Sequence, residues 1–408
     1  MLFKHNKYNL NNMFTIKINT YKYFPLLLFS FFPYITPYSF GTDIQPWSIL
    51  LVSLMTLLML FSNIKIQSYI YYLWLPFLFS FMLFFLSPET KSAVRSILGY
   101  LTIGLVPYVF YYILKNHYSL FEKFIKVSTV VYFFVGLAQL IINEKFMLFA
   151  VNRMTSSENR GITSLSVEPT FYGMICLFLL LIFITLNIKN SKKYIYLLLI
   201  QIIFFSQSTM TILLMIVYGF YYFLFKMNLK VVLTSFFFFA VTLTAIVNTD
   251  IINQDIRFFN VLRMLISNPS EIISRDASIN FRLADIYFPI KGFIDNYMLP
   301  NGFNTYQTYL VSELAQQSTF SGNGGWVTTS NRISSFYSSI LFELGVVGLI
   351  IPIIYSLIIL KAYRYQTRNA LINLFFINTM LITAIPLSFT FVGIYMSSLI
   401  YRANTQGL

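Results

Sequence analysis

Long apolar runs broken by short polar or charged stretches organise almost the whole chain. They fall near 24 to 40, 46 to 62, 70 to 87, 97 to 114, 125 to 142, 169 to 187, 194 to 207, 209 to 225, 231 to 247, 335 to 360 and 370 to 400. Most approach the roughly 20 residues that a helix needs to cross a bilayer, so the pattern predicts an all-α, polytopic bundle of about eleven spans. Two places are ambiguous. The run before "FSQSTMT" is short enough to be tilted, partly re-entrant or buried in the bundle. The last run contains Pro386, which makes it one kinked span or two short ones, a twelfth span in the second case.

One long polar interruption divides the chain into a helix bundle over 1–247, a large loop over 248–334 and C-terminal membrane helices over 335–408. The loop has structure of its own. In "NFRLADIYFPIKGFIDNY", Leu283, Ile286, Tyr287, Ile290, Phe293, Ile294 and Tyr297 recur at helical spacing, with Arg282, Asp285, Pro289, Gly292 and Asn296 on the opposite side. This predicts an amphipathic helix lying on the bilayer or capping the bundle. A second is predicted in "DIRFFNVLRMLIS", ended by Pro269. "STFSGNGGWVTTSNR" then reads as a connector or a lid.

Composition agrees with the pattern: 57% of residues are hydrophobic and 10% charged. The N-terminal run follows Lys4, Lys7, Lys17 and Lys22 and resembles a signal peptide, but no small-residue cleavage site follows, so an uncleaved first span is expected. The lone Cys176 falls inside a span, where it can form neither an intrachain disulfide nor a cysteine metal site. The formal charge of +14 is strung between apolar runs rather than gathered on a soluble module, which reads as topology and not as nucleic-acid binding.

Lysine and arginine in short loops mark the cytoplasmic side. With the N-terminus inside, Lys65, Lys115, Lys123, Lys126, Lys189, Lys192, Lys193, Lys226, Lys230, Lys361, Arg364 and Arg368 join the N-terminal lysines in the cytoplasm. The loop 248–334 and the segment "RGITSLSVEPT" fall outside. Arginines gather there: Arg95, Arg153, Arg160, Arg257, Arg263, Arg275, Arg282 and Arg332. A guanidinium binds phosphate oxygens in pairs and stays charged when partly desolvated, so these suit an anionic ligand; the alternative is pairing with acids of the large loop.

"RGITSLSVEPTFYG", an Arg, small residues and Glu-Pro-Thr-Phe at a helix start, resembles a motif of O-antigen polymerases of the Wzy type. "SINFRLADIYFPIKGFIDNYMLPNGFNTY" and "SSFYSSILFELGVVGLI" are similar to that family's late outer loop and closing span, and "FSQSTMT" resembles its serine-rich turn. The likeness covers roughly residues 150 to 350. It departs where "NGFN" carries only Gly302 of a Gly-x-Gly turn, and where Gln207 replaces an arginine. The related ligases use a histidine before the closing span; here that stretch is "TTSNRISSFY", and His5 and His117 are predicted cytoplasmic.

The resemblance implies a metal-independent glycosyltransferase without a cofactor, in the bacterial inner membrane with its site facing the periplasm. It would join polyprenyl-diphosphate-linked oligosaccharides, donor to acceptor, into an O-antigen, with membrane lipid and a chain-length regulator protein as further partners. Glu168, Arg160 and Arg282 are the expected catalytic residues, and Arg153, Arg257, Arg332, Gly302 and Glu343 the expected substrate-binding ones. Two alternatives stay open. Glu168 at a helix start, ahead of Pro169, can orient an acceptor hydroxyl or simply favour the helix dipole and pair with Arg160. Glu343 can bind substrate or be a buried acid bonded to neighbouring helices. A ligase and a lipid-linked oligosaccharide flippase are the competing functions.

Overall fold

The structure is a computed structural model that describes residues 22–38, 44–61, 68–87, 90–155, 161–226, 273, 276–316, 320, 327, 333–383 and 385–405. Regular structure among them is helical; strand-like pairing is limited to an isolated bridge, Ile35 with Val151. The first half holds α1 (Phe24–Phe31), α2 (Trp47–Phe61), α3 (Ser68–Phe85), α4 (Thr90–Asn116), α5 (Tyr118–Ile141), α6 (Pro169–Leu186), α7 (Lys192–Ile200) and α8 (Thr209–Lys226). The second holds α9 (Ala277–Asp295), α10 (Thr305–Gln316), α11 (Phe336–Leu344), α12 (Ile350–Ala362), α13 (Thr367–Ile382) and α14 (Thr390–Thr405).

Among the described residues, five helical stretches are long and apolar enough to cross a membrane: Ala93–Asn116, Tyr118–Ile141, Pro169–Leu186, Thr209–Lys226 and Phe336–Ala362. These apolar helices mark a membrane protein, helical throughout the regular structure of its described residues. The expected span at 231–247 and the helix in "DIRFFNVLRMLIS" lie outside the described residues, as does most of "STFSGNGGWVTTSNR".

One expected span takes a different form, and the last run takes the second of the two forms left open for it. The first run is not one helix: α1 is 8 residues long and stops before Pro33. A proline disfavours helical geometry in the residue ahead of it, and Phe32 sits at φ −127, ψ 66. The last run divides into α13 and α14, with Pro386 in the break.

The core surrounds α14, which is buried along nearly its whole length and packs on α4, α6 and α12. Hydrophobic matching alone cannot hold helices together in lipid, so close backbone approach counts. Gly393 supplies it, since a Cβ there would meet Val106 side-chain atoms at 2.7 Å. The bundle has two ends. At one, Arg402 Nη1 donates to Thr185 O (2.9 Å) and Nε to Ala362 O (3.2 Å). At the other, Ser335 Oγ donates to Ile382 O (2.6 Å) and Thr390 Oγ1 to Ser30 O (3.1 Å). α6 runs from the second end to the first, 18 residues or about 27 Å at 1.5 Å per residue.

The loop helix α9 forms where expected and meets the bundle mainly through the face opposite its apolar stripe, with Phe293 of that stripe also buried. Asn280, Ala284, Asp285, Phe288, Pro289, Gly292 and Phe293 are buried, while Leu283, Tyr287, Ile294 and Tyr297 are exposed. Small residues allow this contact: a Cβ on Gly292 would meet the Phe342 ring of α11 at 2.6 Å. An outward apolar stripe is costly in water but suits acyl chains, which reverses the usual burial rule at a membrane surface.

Candidate functional site at one end of the bundle

The segment 161–167 connects the α5 side of the bundle to α6, and every residue in it is buried. The segment is packed into the protein rather than lying open to water. At its start Gly161 lies against the chain just ahead of α8, where α7 continues as a π-helical turn, Gln201–Ser206. A Cβ on Gly161 would fall 2.1 Å from Ser206 O, and Ile162 N donates to Phe205 O at 2.8 Å. π-helical turns recur at functional sites because they misalign one turn to re-aim a side chain. Here Gln207 follows in the left-handed region, at φ 44, and reverses the chain.

Ser164 also takes a positive φ, 49°, which costs a non-glycine residue about 1–3 kcal/mol. Its surroundings hold it there. Gln139 Oε1 accepts from Ser164 N (2.7 Å), Gln139 Nε2 donates to Ser164 O (2.9 Å), and Ser164 Oγ donates to Tyr132 O (2.8 Å). Buried hydrogen bonds are each worth about 1 kcal/mol net, enough together to offset the strain. A further buried bond, Tyr172 OH to Gln201 Oε1 at 2.9 Å, ties α6 to the π-helical turn.

The loop delivers Glu168, Pro169 and Thr170 to the mouth of α6. Glu168 is the N-cap residue in an extended conformation, yet its carboxylate makes no capping bond. It is turned outward, with Oε1 3.4 Å from Arg153 Nη2. The pair is 46% and 37% exposed, so it contributes about 0–1 kcal/mol to stability. Stability does not explain its placement. Thr170 Oγ1 meets two other elements: Arg282 Nη2 of α9 and Ser208 Oγ of the serine-rich turn, each at 3.4 Å. Arg282 Nε also lies 3.4 Å from Ser278 Oγ.

Of the residues expected to act, the structure thus brings Glu168, Arg153 and Arg282 to one helix mouth. Arg153 stands beside Glu168 where Arg160 was the expected partner; Arg160, Arg257 and Arg332 lie outside the described residues. Glu343 and Gly302 belong to a second cluster. Glu343 accepts 2.8 Å bonds from Ser96 Oγ and Tyr100 OH of α4, and Gly302 N donates to Glu343 O at 3.2 Å. The φ of 76° at Gly302 explains a glycine there. The side-chain bonds of Glu343 are those of a half-buried acid bonded to a neighbouring helix.

Thr170, Ser208 and Asp285 were not singled out from sequence as site residues. For Asp285 a signal existed: it follows Arg282 by three positions, on the same helix face. It is buried, and it accepts from the Ser334 hydroxyl and, at 3.3 Å, from Ser334 N. Burial pushes its pKa up to about 7, against the opposing pull of Ser334 and Arg282. The folded state then holds a proton that the unfolded state releases. Stability contributed by this group should be full below the ordinary value of 3.8 and should fall as pH rises toward about 7. Melting temperatures in detergent across that window should decline for the wild type and stay flatter in Asp285→Asn; parallel curves would show that Asp285 does not titrate there.

Cavity size does not locate this chemistry. A cavity of about 510 Å³ exists, but around Arg402 at the opposite end of the bundle. The convergence of charged side chains from separate elements marks the site instead. Comparison of the chain with family models, with curated proteins and with solved structures finds no match.

Proposed function

We propose that the protein is a polysaccharide polymerase that transfers a growing glycan from one polyprenyl diphosphate carrier to the nonreducing end of another carrier-linked repeat unit, at the periplasmic face of a bacterial inner membrane. The observation that carries this reading is the approach of Arg282, from the loop helix, to Thr170 at the helix mouth where Arg153 faces Glu168.

In that reaction the bond between the anomeric carbon and the diphosphate oxygen breaks while an acceptor hydroxyl oxygen bonds to the same carbon. Negative charge grows on the departing diphosphate, and the acceptor hydroxyl loses its proton. Guanidinium groups serve the first need through paired N–H donors. Glu168 serves the second: its exposed carboxylate is free of capping duty and can orient and accept the acceptor proton. Burial of the loop behind it fixes the carboxylate without enclosing it, as a bulky glycan chain requires.

His117 bears on the ligase alternative. It precedes α5 and packs on the rings of Tyr23, at 4.8 Å, and Tyr112, away from the Glu168 end of the chain. His117 is thus poorly placed for a histidine-dependent ligase; the other histidine, His5, lies outside the described residues. Cells lacking the protein should lose the long surface-glycan ladder but still show lipid anchor capped with one repeat unit on a gel. Disappearance of the single-unit band as well would point to ligation.

A further inference from the structure

Two arms of chain carry the pair at the helix mouth. Glu168 closes the segment that starts at Gly161, and Arg153 lies just after the 3₁₀ turn Leu148–Ala150. Neither arm is regular structure, so a helix ladder does not set the position of one against the other. Gln139, buried in the last turns of α5, reaches both. On the first arm its amide brackets one residue, since Oε1 accepts from Ser164 N at 2.7 Å and Nε2 donates to Ser164 O at 2.9 Å. On the second, Nε2 donates to Phe146 O at 3.0 Å and lies 3.8 Å from Sδ of Met154, the neighbour of Arg153. A primary amide has two N–H donors and one carbonyl acceptor, and all three are engaged here.

From these anchors, hydrogen bonds run on to the pair itself. Ser166 N donates to Thr163 O at 3.0 Å, and Ser166 Oγ lies 2.8 Å from both Thr163 O and Glu168 O. The turn around Ser164 is thereby tied to the residue that opens α6. Thr155 crosses between the arms, donating to Val167 O through N at 2.9 Å and through Oγ1 at 3.0 Å. Val167 precedes Glu168, and Thr155 follows Arg153 by two residues. A backbone change at Ser164 therefore moves the carboxylate against the guanidinium.

On the reading that Glu168 orients the acceptor, we propose that Gln139 is a positioning residue for the glycan transfer: its amide holds Ser164 in the left-handed region and so sets Glu168 against Arg153. Being buried, Gln139 touches no substrate.

Gln139→Leu keeps the bulk and removes the amide, while Gln139→Asn keeps the amide and draws it back by one methylene. In turnover of lipid-linked repeat units by the full-length protein in detergent, Gln139→Leu should lower kcat roughly ten- to a hundred-fold with KM nearly unchanged, as misplacement by about 1 Å does. Gln139→Asn should fall between, and it is read by the same criteria if Gln139→Leu does not reach the membrane. Adding Ser164→Gly is the discriminating step. Glycine takes a positive φ without strain, so the double variant should recover most of the lost kcat. A merely structural role predicts no recovery, because glycine also deletes the bond from Ser164 Oγ to Tyr132 O and a protein short of stability would be weakened further. Amide hydrogen exchange reads the geometry without any activity: Gln139→Leu should speed exchange at Ser164 and Thr155 together, and the added glycine should slow it again at Thr155. If the wild type does not extend glycans the polymerase reading fails, and exchange alone then decides the role of Gln139. Wild-type turnover in Gln139→Leu, no recovery with glycine, or unchanged exchange at Thr155 would each overturn that role.

Discussion

Replacing Arg282 by lysine should abolish the long glycan ladder almost as completely as replacing it by alanine. Arg282 spans two hydroxyls, with Nε toward Ser278 Oγ and Nη2 toward Thr170 Oγ1. That geometry uses two nitrogens of one planar fork, which an ammonium group cannot reproduce. If the same fork holds the departing diphosphate, its loss removes donors aimed at charge that grows in the transition state, a loss of roughly a hundred-fold or more in rate. A lysine would restore the charge and little else. Ladders are compared after normalising to protein in the membrane, so that misfolding is not read as lost chemistry. Arg160→Lys belongs in the same series, since the sequence motif assigns it the same role. Near-normal ladders from both lysine variants would reduce these arginines to charge balance.

Much of the helical layout was legible because run length and polar breaks report directly on what can cross lipid. α4, α5, α6 and α8 lie close to their apolar runs. Misjudgements came from local chemistry outvoted by hydrophobicity. Pro33 and Pro37 were visible, yet the run around them read as one span; the structure ends α1 at Phe31 and uses Ile35 to pair with Val151. α9 was located correctly, but its buried face follows from small residues that let it approach α11, a contact no pattern within one helix reveals.

The site was half legible for a related reason. Glu168 and Arg282 stand out because a carboxylate before a proline and an arginine on an amphipathic helix are uncommon beside a membrane. Thr170 and Ser208 do not, since hydroxyl residues are frequent throughout the chain. The αL turn at Ser164 depends on Gln139 from a different helix, and the contact of Gly161 depends on a π-helical turn some forty residues later in the chain. Neither has a local signature.

That contact makes Gly161→Ala the sharpest test of whether the loop matters to the chemistry. The added methyl would sit 2.1 Å from Ser206 O and 2.4 Å from Phe205 O. Both are backbone atoms, so no flexible side chain can swing aside, and the loop itself must lift. Lifting it strains the Ile162 N to Phe205 O bond and shifts the segment that carries Glu168 and Thr170. Overpacking of this kind costs about 1–3 kcal/mol, too little to unfold a bundle built around α14 but enough to misplace groups that must act together. The variant should reach the membrane at near-normal levels, melt at a modestly lower temperature, and make short glycans only. Gly219 in α8 provides the control, because nothing lies within 4 Å of a Cβ there; alanine at that helical position should be neutral or slightly stabilising, by about 0.5–1 kcal/mol. Should Gly161→Ala support the same ladder as Gly219→Ala, close docking of the loop on the π-helical turn is not needed for polymerisation, and Glu168 loses its claim to orient the acceptor.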